Sequence, residues 1–324
     1  MCCTPTSIRE SGTDVADSTP TAPPPAAHDA GEPIAEHRSR MRVTIDTVLR
    51  NRLAVVGLAV LALLVLAAIF GPTIAPYDIN DINIADRLQG LSSSHWFGTD
   101  ELGRDVFSRV LIGARVSLTV GFIAVGIAVV IGVPIGLVSG FYGGATDSWL
   151  MRLMDILFSL PAILLAIAIL AVLGPGIVNA MIAIGIVYTP IFARITRGSV
   201  LTIKESVFVR AARSLGATDT RILRSHILPN VVAPIIVQTS LSLAFAILAE
   251  AALSFLGLGV QPPEPAWGRM LSEGRGFFQQ APWMAIFPGL AIVITVMAFN
   301  FVGDGLRDAL DPQQRSVIES RGVG

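Results

Sequence analysis

The sequence predicts an all-α, polytopic membrane protein with six transmembrane helices and both chain ends on the same side of the bilayer. Three observations predict it. Of 324 residues, 52% are hydrophobic and only 15% charged, whereas soluble domains carry about a quarter charged residues. Several apolar runs approach the roughly 20 residues that cross a bilayer as a helix. Basic residues gather in particular loops between those runs, as they do on the cytoplasmic side of a membrane.

Residues 1–37 are rich in Pro, Ala, Thr, Ser and Asp. They offer too little apolar surface to offset the entropy of ordering, so a disordered cytoplasmic tail is expected. Cys2 and Cys3 are the only cysteines. Adjacent thiols at a chain end build neither a disulfide framework nor a zinc site. The first apolar run begins only after residue 52, so no cleavable signal peptide is expected. Arg38, Arg40, Arg42, Arg50 and Arg52 place the N-terminus in the cytoplasm.

Residues 38–76 hold span 1, from Leu53 to about Ile74, closed by Gly71-Pro72 and Pro76-Tyr77. Residues 77–115 form an external loop. In it Thr99 suits an N-cap, and Asp100 and Glu101 suit a first helical turn. Asp100/Arg104 and Asp105/Arg109 stand four apart and pair on a helix. An interfacial amphipathic helix from Asp100 to Arg115 is expected, anchored by Trp96 and Phe97. Asp100, Arg104 and Asp105 are its candidates for contacting an external partner.

Residues 116–303 contain the remaining spans. Span 2, Val116 to about Val138, runs into a ladder of Gly132, Gly136 and Gly140, a small-residue face that marks close helix packing. The partner of that face is within the chain or on another subunit. Pro134 bends the span. Span 3 is Trp149 to Leu173 with Pro161 inside. Gly174-Pro175-Gly176 turns it into span 4, Ile177 to Ala193. Span 5 is Val231 to Gly257, an outer loop runs from Leu258 to Trp283, and span 6 is Met284 to Val302. Residues 304–324 are a cytoplasmic tail with a short helix, which Asp304 caps and Asp311-Pro312 stops.

The most informative stretch is residues 194–230. Arg194, Arg197, Lys204, Arg210, Arg213, Arg221 and Arg224 face only Glu205 and Asp219, so the loop is cytoplasmic. Lys204 to Leu215 has helical periodicity, with Val207, Phe208, Ala211, Ala212 and Leu215 on one apolar stripe. Gly216 suits a left-handed C-cap. Thr218 to Ser225 suits a second short helix, and Pro229 starts the next span. The product is a helix–glycine–helix elbow, small at its centre and basic on its flanks.

Two acids lie in the spans. Glu250 sits about 28 Å from the inner surface at 1.5 Å per residue. An acid at such depth is expensive and commonly functional. It either faces a translocation cavity, closing an outer gate with an arginine or meeting a solute's amino group, or forms a salt bridge at a subunit interface. Asp155, one turn after Arg152, is expected to pair with it. No metal site is expected: His28 and His37 lie in the tail, His95 and His226 stand alone, and no ligand spacing occurs. Lys204 is the only lysine and Ile203 precedes it, so no phosphate-binding loop exists. ATP chemistry, if used, belongs to another chain.

The order Ala211-Ala212, Gly216 and Leu228-Pro229 resembles the EAA loop of bacterial ABC importer permeases. Arg210 and His226 replace the Glu and Ile of the general motif, departures that look like the peptide-permease branch. His95 to Asp105, Glu250 to Gly259, Pro262 to Gly268 and Gly303 to Asp308 are also similar to dipeptide and oligopeptide permeases. Arg50 to Asp78 resembles the N-terminal extension of the C-type subunit of that branch. The resemblance covers nearly everything after about residue 40.

It implies a type I importer permease of six helices with a cytoplasmic coupling helix, one half of a translocation pathway. Arg210, Ala211, Ala212, Leu215, Gly216, Leu228 and Pro229 would couple it to an ATPase. The implied partners are a second, homologous permease, two ABC ATPase subunits carrying ATP and Mg, an extracytoplasmic binding protein and the lipid bilayer. The chain itself needs no cofactor and makes no covalent bond. It would reside in the bacterial inner membrane and carry short peptides. Nickel chelates or glutathione are same-branch alternatives. A self-contained secondary transporter is an alternative of another class, expected to show inverted repeats and paired midplane charges, neither of which is visible.

Overall fold

The computed structural model describes residue 45 and residues 47–310. The expected disordered tail, Cys2, Cys3, Arg38, Arg40, Arg42 and the helix stop at Asp311-Pro312 lie outside the described residues.

The described chain is helical almost throughout. The helices are α1 (Arg52–Ile74), α2 (Val106–Tyr142), α3 (Gly144–Phe158), α4 (Ala162–Leu173), α5 (Ile177–Lys204), α6 (Val207–Ser214), α7 (Asp219–Ile222), α8 (Leu228–Phe255), α9 (Trp267–Arg275) and α10 (Trp283–Leu310). Helices α1, α2, α5, α8 and α10 are each long and apolar enough to cross a membrane. A sixth crossing exists if α3 and α4 count as one broken span.

Span 3 is therefore not the straight helix expected from Trp149 to Leu173. Its two halves meet at 91°. Pro161 has no N–H to donate and disfavours helical geometry in the residue before it, so the helix ends at Phe158 and restarts at Ala162. The first half carries Asp147 and Asp155, and both are held from α5. Arg197 grips Asp147 through two bonds of 2.6 Å. Arg194 reaches Asp155 at 2.7 Å, so the expected pairing of Asp155 with Arg152 is replaced by one across helices. Asp304 also differs from expectation. Helix α10 runs unbroken through it to Leu310, and its carboxylate is exposed in mid-helix rather than capping anything.

The most extensive pairing among the described helices is α2 against α5. Its seam is the glycine ladder. A Cβ added at Gly132 would stand 2.6 Å from the Thr189 carbonyl, and one at Gly140 would stand 2.8 Å from Val200 Cβ. One at Gly136 would overlap the Ala193 carbonyl. Gly185 answers from α5, where a Cβ would press on Ile127 at 2.7 Å. The face opposite the ladder is thus this chain's own helix. In lipid no hydrophobic drive joins helices, and contact between backbones supplies the attraction instead. Helices α4, α5 and α8 complete the core around α2, with Leu170, Ile184, Phe192, Ile247 and Leu253 buried in it. Helix α1 is peripheral. It rests on α10 and α2, and much of its surface is open to lipid.

Candidate functional site

Three polar regions stand out from this apolar frame, at one end, at the opposite end and between helices. The first is the elbow. Helix α5 continues to Lys204, and the chain turns at Glu205-Ser206, so the elbow helix starts at Val207 rather than Lys204. It ends in a Schellman turn. Gly216 sits at φ +80°, its N–H bonds to the Arg213 carbonyl, and the Ala217 N–H bonds to the Ala212 carbonyl. The expected second helix is shorter. Helix α7 passes through one wide π turn, Leu223–Ile227, directly into α8. Pro229 lacks an N–H and stands at the start of α8, where none is needed.

The elbow is amphipathic in two senses. Val209, Ile222 and Ile227 are fully buried and belong to the main core. Val207 and Leu215, by contrast, are 72% and 89% exposed, and Phe208 and Ala211 are exposed beside them. Ala212 and Leu228 are half-buried, while Pro229 is exposed. The expected apolar stripe thus points away from the chain. Arg210, Arg213, Arg221 and Arg224 surround it, all exposed. The elbow is also tied to α2. Lys204 Nζ donates to the Gly140 carbonyl at 2.9 Å, near the C-terminal end of α2, and the Arg213 guanidinium lies over the Phe141 ring.

The region at the opposite end differs from expectation. Residues 99–105 form a closed turn, bridged between Thr99 and Asp105, and no helix begins until Val106. Asp105, not Thr99, is the N-cap, accepting from the Ser108 N–H at 2.8 Å. Its other oxygen meets His95 Nδ1 at 3.0 Å. Thr99 instead donates to the Asp86 carbonyl. Asp100 and Arg104 do pair, at 2.6 Å, across the turn. Arg109 turns from Asp105 to Glu273 on α9, at 3.2 Å, with Asp100 3.7 Å away. Arg269 closes the group on Glu273 at 3.0 Å.

Asp100, Arg104 and Asp105 are buried, so they offer no surface to an external protein. The reason is that acids and bases neutralise each other in one cluster, which permits burial that neither sign tolerates alone. Burial pushes the Glu101 carboxyl above the usual carboxylate range; Asp100 and Glu273 add to the shift, while its own backbone N–H and Arg104 oppose it. Two tryptophans hold the cap to the spans. Trp267 Nε1 donates to the Val110 carbonyl and Trp283 Nε1 to the Thr99 carbonyl. Helix α9, Glu273 and Arg269 were not anticipated, although the four-residue spacing of Arg269 and Glu273 carried the signal.

Glu250 neither faces a cavity within this chain nor meets an arginine. It is fully buried between α2 and α8. Ser117 of α2 donates to one carboxyl oxygen at 3.2 Å, and Ser254, one turn later on α8, donates to the other at 2.7 Å. Two hydroxyl donors at that depth take the place of the expected cation. Neither serine was singled out from the sequence, where nothing distinguishes them from other span serines. Among the described residues no cluster of three or more His, Asp or Glu has the arrangement of a metal site.

Known proteins share this architecture. The family described as the binding-protein-dependent transport system inner membrane component matches residues 132–316. The N-terminal transmembrane domain of oligopeptide transport permease C matches residues 39–90. The dipeptide transport system permease protein DppC of Alkalihalophilus pseudofirmus is 48% identical over 298 residues, covering 92% of this chain and 96% of that one. The glutathione transport system permease protein GsiD of Pectobacterium atrosepticum is 48% identical, with 83% and 89% covered. That of Escherichia coli O6:K15:H31 is 51% identical, with 82% and 88% covered. A chain from an inward-facing crystal form of the MetNI methionine ABC transporter superimposes with a TM-score of 0.53 at 20% identity, over 63% of this chain and 97% of its own.

Proposed function

The chain belongs to the family of binding-protein-dependent transport system inner membrane components, as a permease of the dipeptide and oligopeptide type, and on that premise we propose that it carries short peptides through a pathway driven from its elbow. It is a transport subunit of an ABC importer and not itself an enzyme. The observation that carries the mechanical reading is the elbow's outward face. Val207, Phe208, Ala211 and Leu215 are apolar, exposed and ringed by arginines, the composition of a protein-docking surface.

The occupant of that surface is an ABC ATPase subunit, which supplies ATP and Mg. Arg210 to Gly216 enters it, and Leu228-Pro229 sets the direction in which α8 leaves it. Force on the elbow has two routes inward. One passes through the π turn into α8. The other passes through α5 and Lys204 into α2, which moves with α5 along the glycine seam. A second permease completes the pathway, an external binding protein delivers the solute, and the elbow with both chain ends lies in the cytoplasm of a bacterial inner membrane.

The dipeptide relative spans nearly the whole chain and favours dipeptides as solute. The glutathione relatives favour a second reading, glutathione, itself a short peptide. The test is uptake by proteoliposomes holding the complete complex with ATP inside. Labelled dipeptide should accumulate only with ATP and binding protein, and an excess of glutathione should leave it unaffected. Uptake by the purified chain alone, without nucleotide, would end the importer reading, and full competition by glutathione would favour the second solute.

A further inference from the structure

We propose that Glu250 is a positioning residue for transport, a hidden staple that makes the outer ends of α2 and α8 and the turn after α8 move as one block. The proposal rests on the importer reading and goes beyond it, because it assigns the residue no contact with solute or with another subunit.

The geometry is that of a hub. Glu250, Ser117 and Ser254 are all fully buried. The carboxyl group bridges two helices through Ser117 and Ser254. Ser254 passes the connection on, because its oxygen accepts from the Val260 N–H at 3.1 Å, in the turn beyond α8. That turn is in contact with its surroundings on three sides. The Leu258 N–H bonds back to the Leu253 carbonyl, the Gly176 N–H from the α4–α5 turn bonds to the Leu258 carbonyl, and Gly259 packs so closely on Ser254 that a Cβ there would overlap its hydroxyl. Next to Glu250 on α8, the backbone of Ala251 leaves no room for a side chain at Gly268, the second residue of α9.

No ion pair among the described residues includes Glu250. Its role is accordingly one of hydrogen bonding. A carboxyl group is long enough to reach both serines and has two oxygens to serve them separately; a serine or threonine at the same place has one. Helix α8 begins at the elbow and ends at this hub, so displacement entering at Leu228 arrives at Glu250. With the staple in place the displacement shifts α2, α8 and the outer turn together. Without it α8 slides past α2, and ATP is consumed with less opening at the outer end.

The test is the number of peptides imported per ATP hydrolysed by the complete complex in proteoliposomes. Glu250→Ala should lower that ratio about tenfold while ATPase activity stays within about twofold of wild type. Glu250→Gln should restore it, since the amide accepts from one serine through oxygen and donates to the other through nitrogen. Ser117→Ala and Ser254→Ala each remove one bond and serve if the alanine variant fails to assemble; each should lower the ratio part of the way. A ratio unchanged in Glu250→Ala, with both rates falling together, would reduce the residue to a fold determinant and overturn the proposal. Failure of Glu250→Gln to restore the ratio would overturn it as well, because a negative charge would then be what matters. Absence of ATP-dependent uptake in wild type would instead sink the importer reading, so the two failures are separable.

Discussion

The elbow at one end and the cap at the other carry similar numbers of charged side chains and use them in opposite ways. In the cap Asp100, Glu101 and Glu273 meet Arg104, Arg109 and Arg269, with Asp100, Arg104 and Arg109 buried and the other three half-buried around them. In the elbow Arg210, Arg213, Arg221 and Arg224 are exposed and make no ion pair among the described residues. Charge that is satisfied internally locks a structure, and charge left open is available to a partner. The difference teaches that the cap is built to hold its shape and the elbow is built to be gripped.

The comparison can be broken most directly at Arg109. Arg109→Met takes a buried cation from Asp100 and from half-buried Glu273 while Arg104 and Arg269 stay beside them, at about 3 kcal/mol, the lower end of the cost of breaking a buried pair. Thermal denaturation of the purified complex should show the largest drop of any single change considered. If stability is unchanged, the cap is not a lock. Gly136→Leu comes next. It forces a side chain into the seam that couples the two ends, at about 1–3 kcal/mol or more. Gly126→Leu on the same helix is the control, since a Cβ at Gly126 meets nothing within 4 Å. Equal effects of the two leucines would refute the seam's role.

Elbow variants should separate function from stability. Proline cannot adopt the φ of +80° at Gly216 and lacks the N–H that bonds the Arg213 carbonyl, so the C-cap opens, while a Cβ there meets nothing within 4 Å. Gly216→Pro and Ala212→Arg should abolish uptake while the denaturation temperature of the permease falls by only a few degrees, the shift of about 1 kcal/mol. Normal uptake by both would remove the elbow from the mechanism. The smallest effect is expected at Glu101. Its folded-state pKa is raised by burial, so the folded cap holds a proton more tightly than the unfolded chain. Stability therefore increases as pH falls through that raised value and is lost again as pH rises past it. Glu101→Gln should abolish this pH dependence and stabilise the cap by less than about 1 kcal/mol at neutral pH. A variant as pH-sensitive as wild type would assign the dependence elsewhere.

Apolar length and arginine bias were enough to find the spans, because both are summed over some 20 residues and tolerate local error. The glycine at 216 was legible for a different reason: a left-handed turn after a helix leaves almost no other choice. What escaped was pairing at a distance. Asp105 and Arg109 satisfy the helical spacing rule, but Glu273, 164 residues away, claims Arg109. Asp155 is taken by Arg194 in the same manner, from a helix that follows the 91° bend at the break before Ala162. The depth of Glu250 could be counted from the sequence, but its companions could not. Ser117 lies 133 residues earlier, and a serine in a span is ordinary until something expensive is found beside it.

The glycine ladder has one more implication. Two helices whose main chains touch cannot slide, tilt or separate without first losing the contact that joins them. Labels attached on the lipid sides of α2 and α5, flanking Gly132 to Gly140, should therefore keep a constant separation through every step of the cycle. That invariant distance supplies the internal ruler against which the travel of any other part of the transporter can be measured.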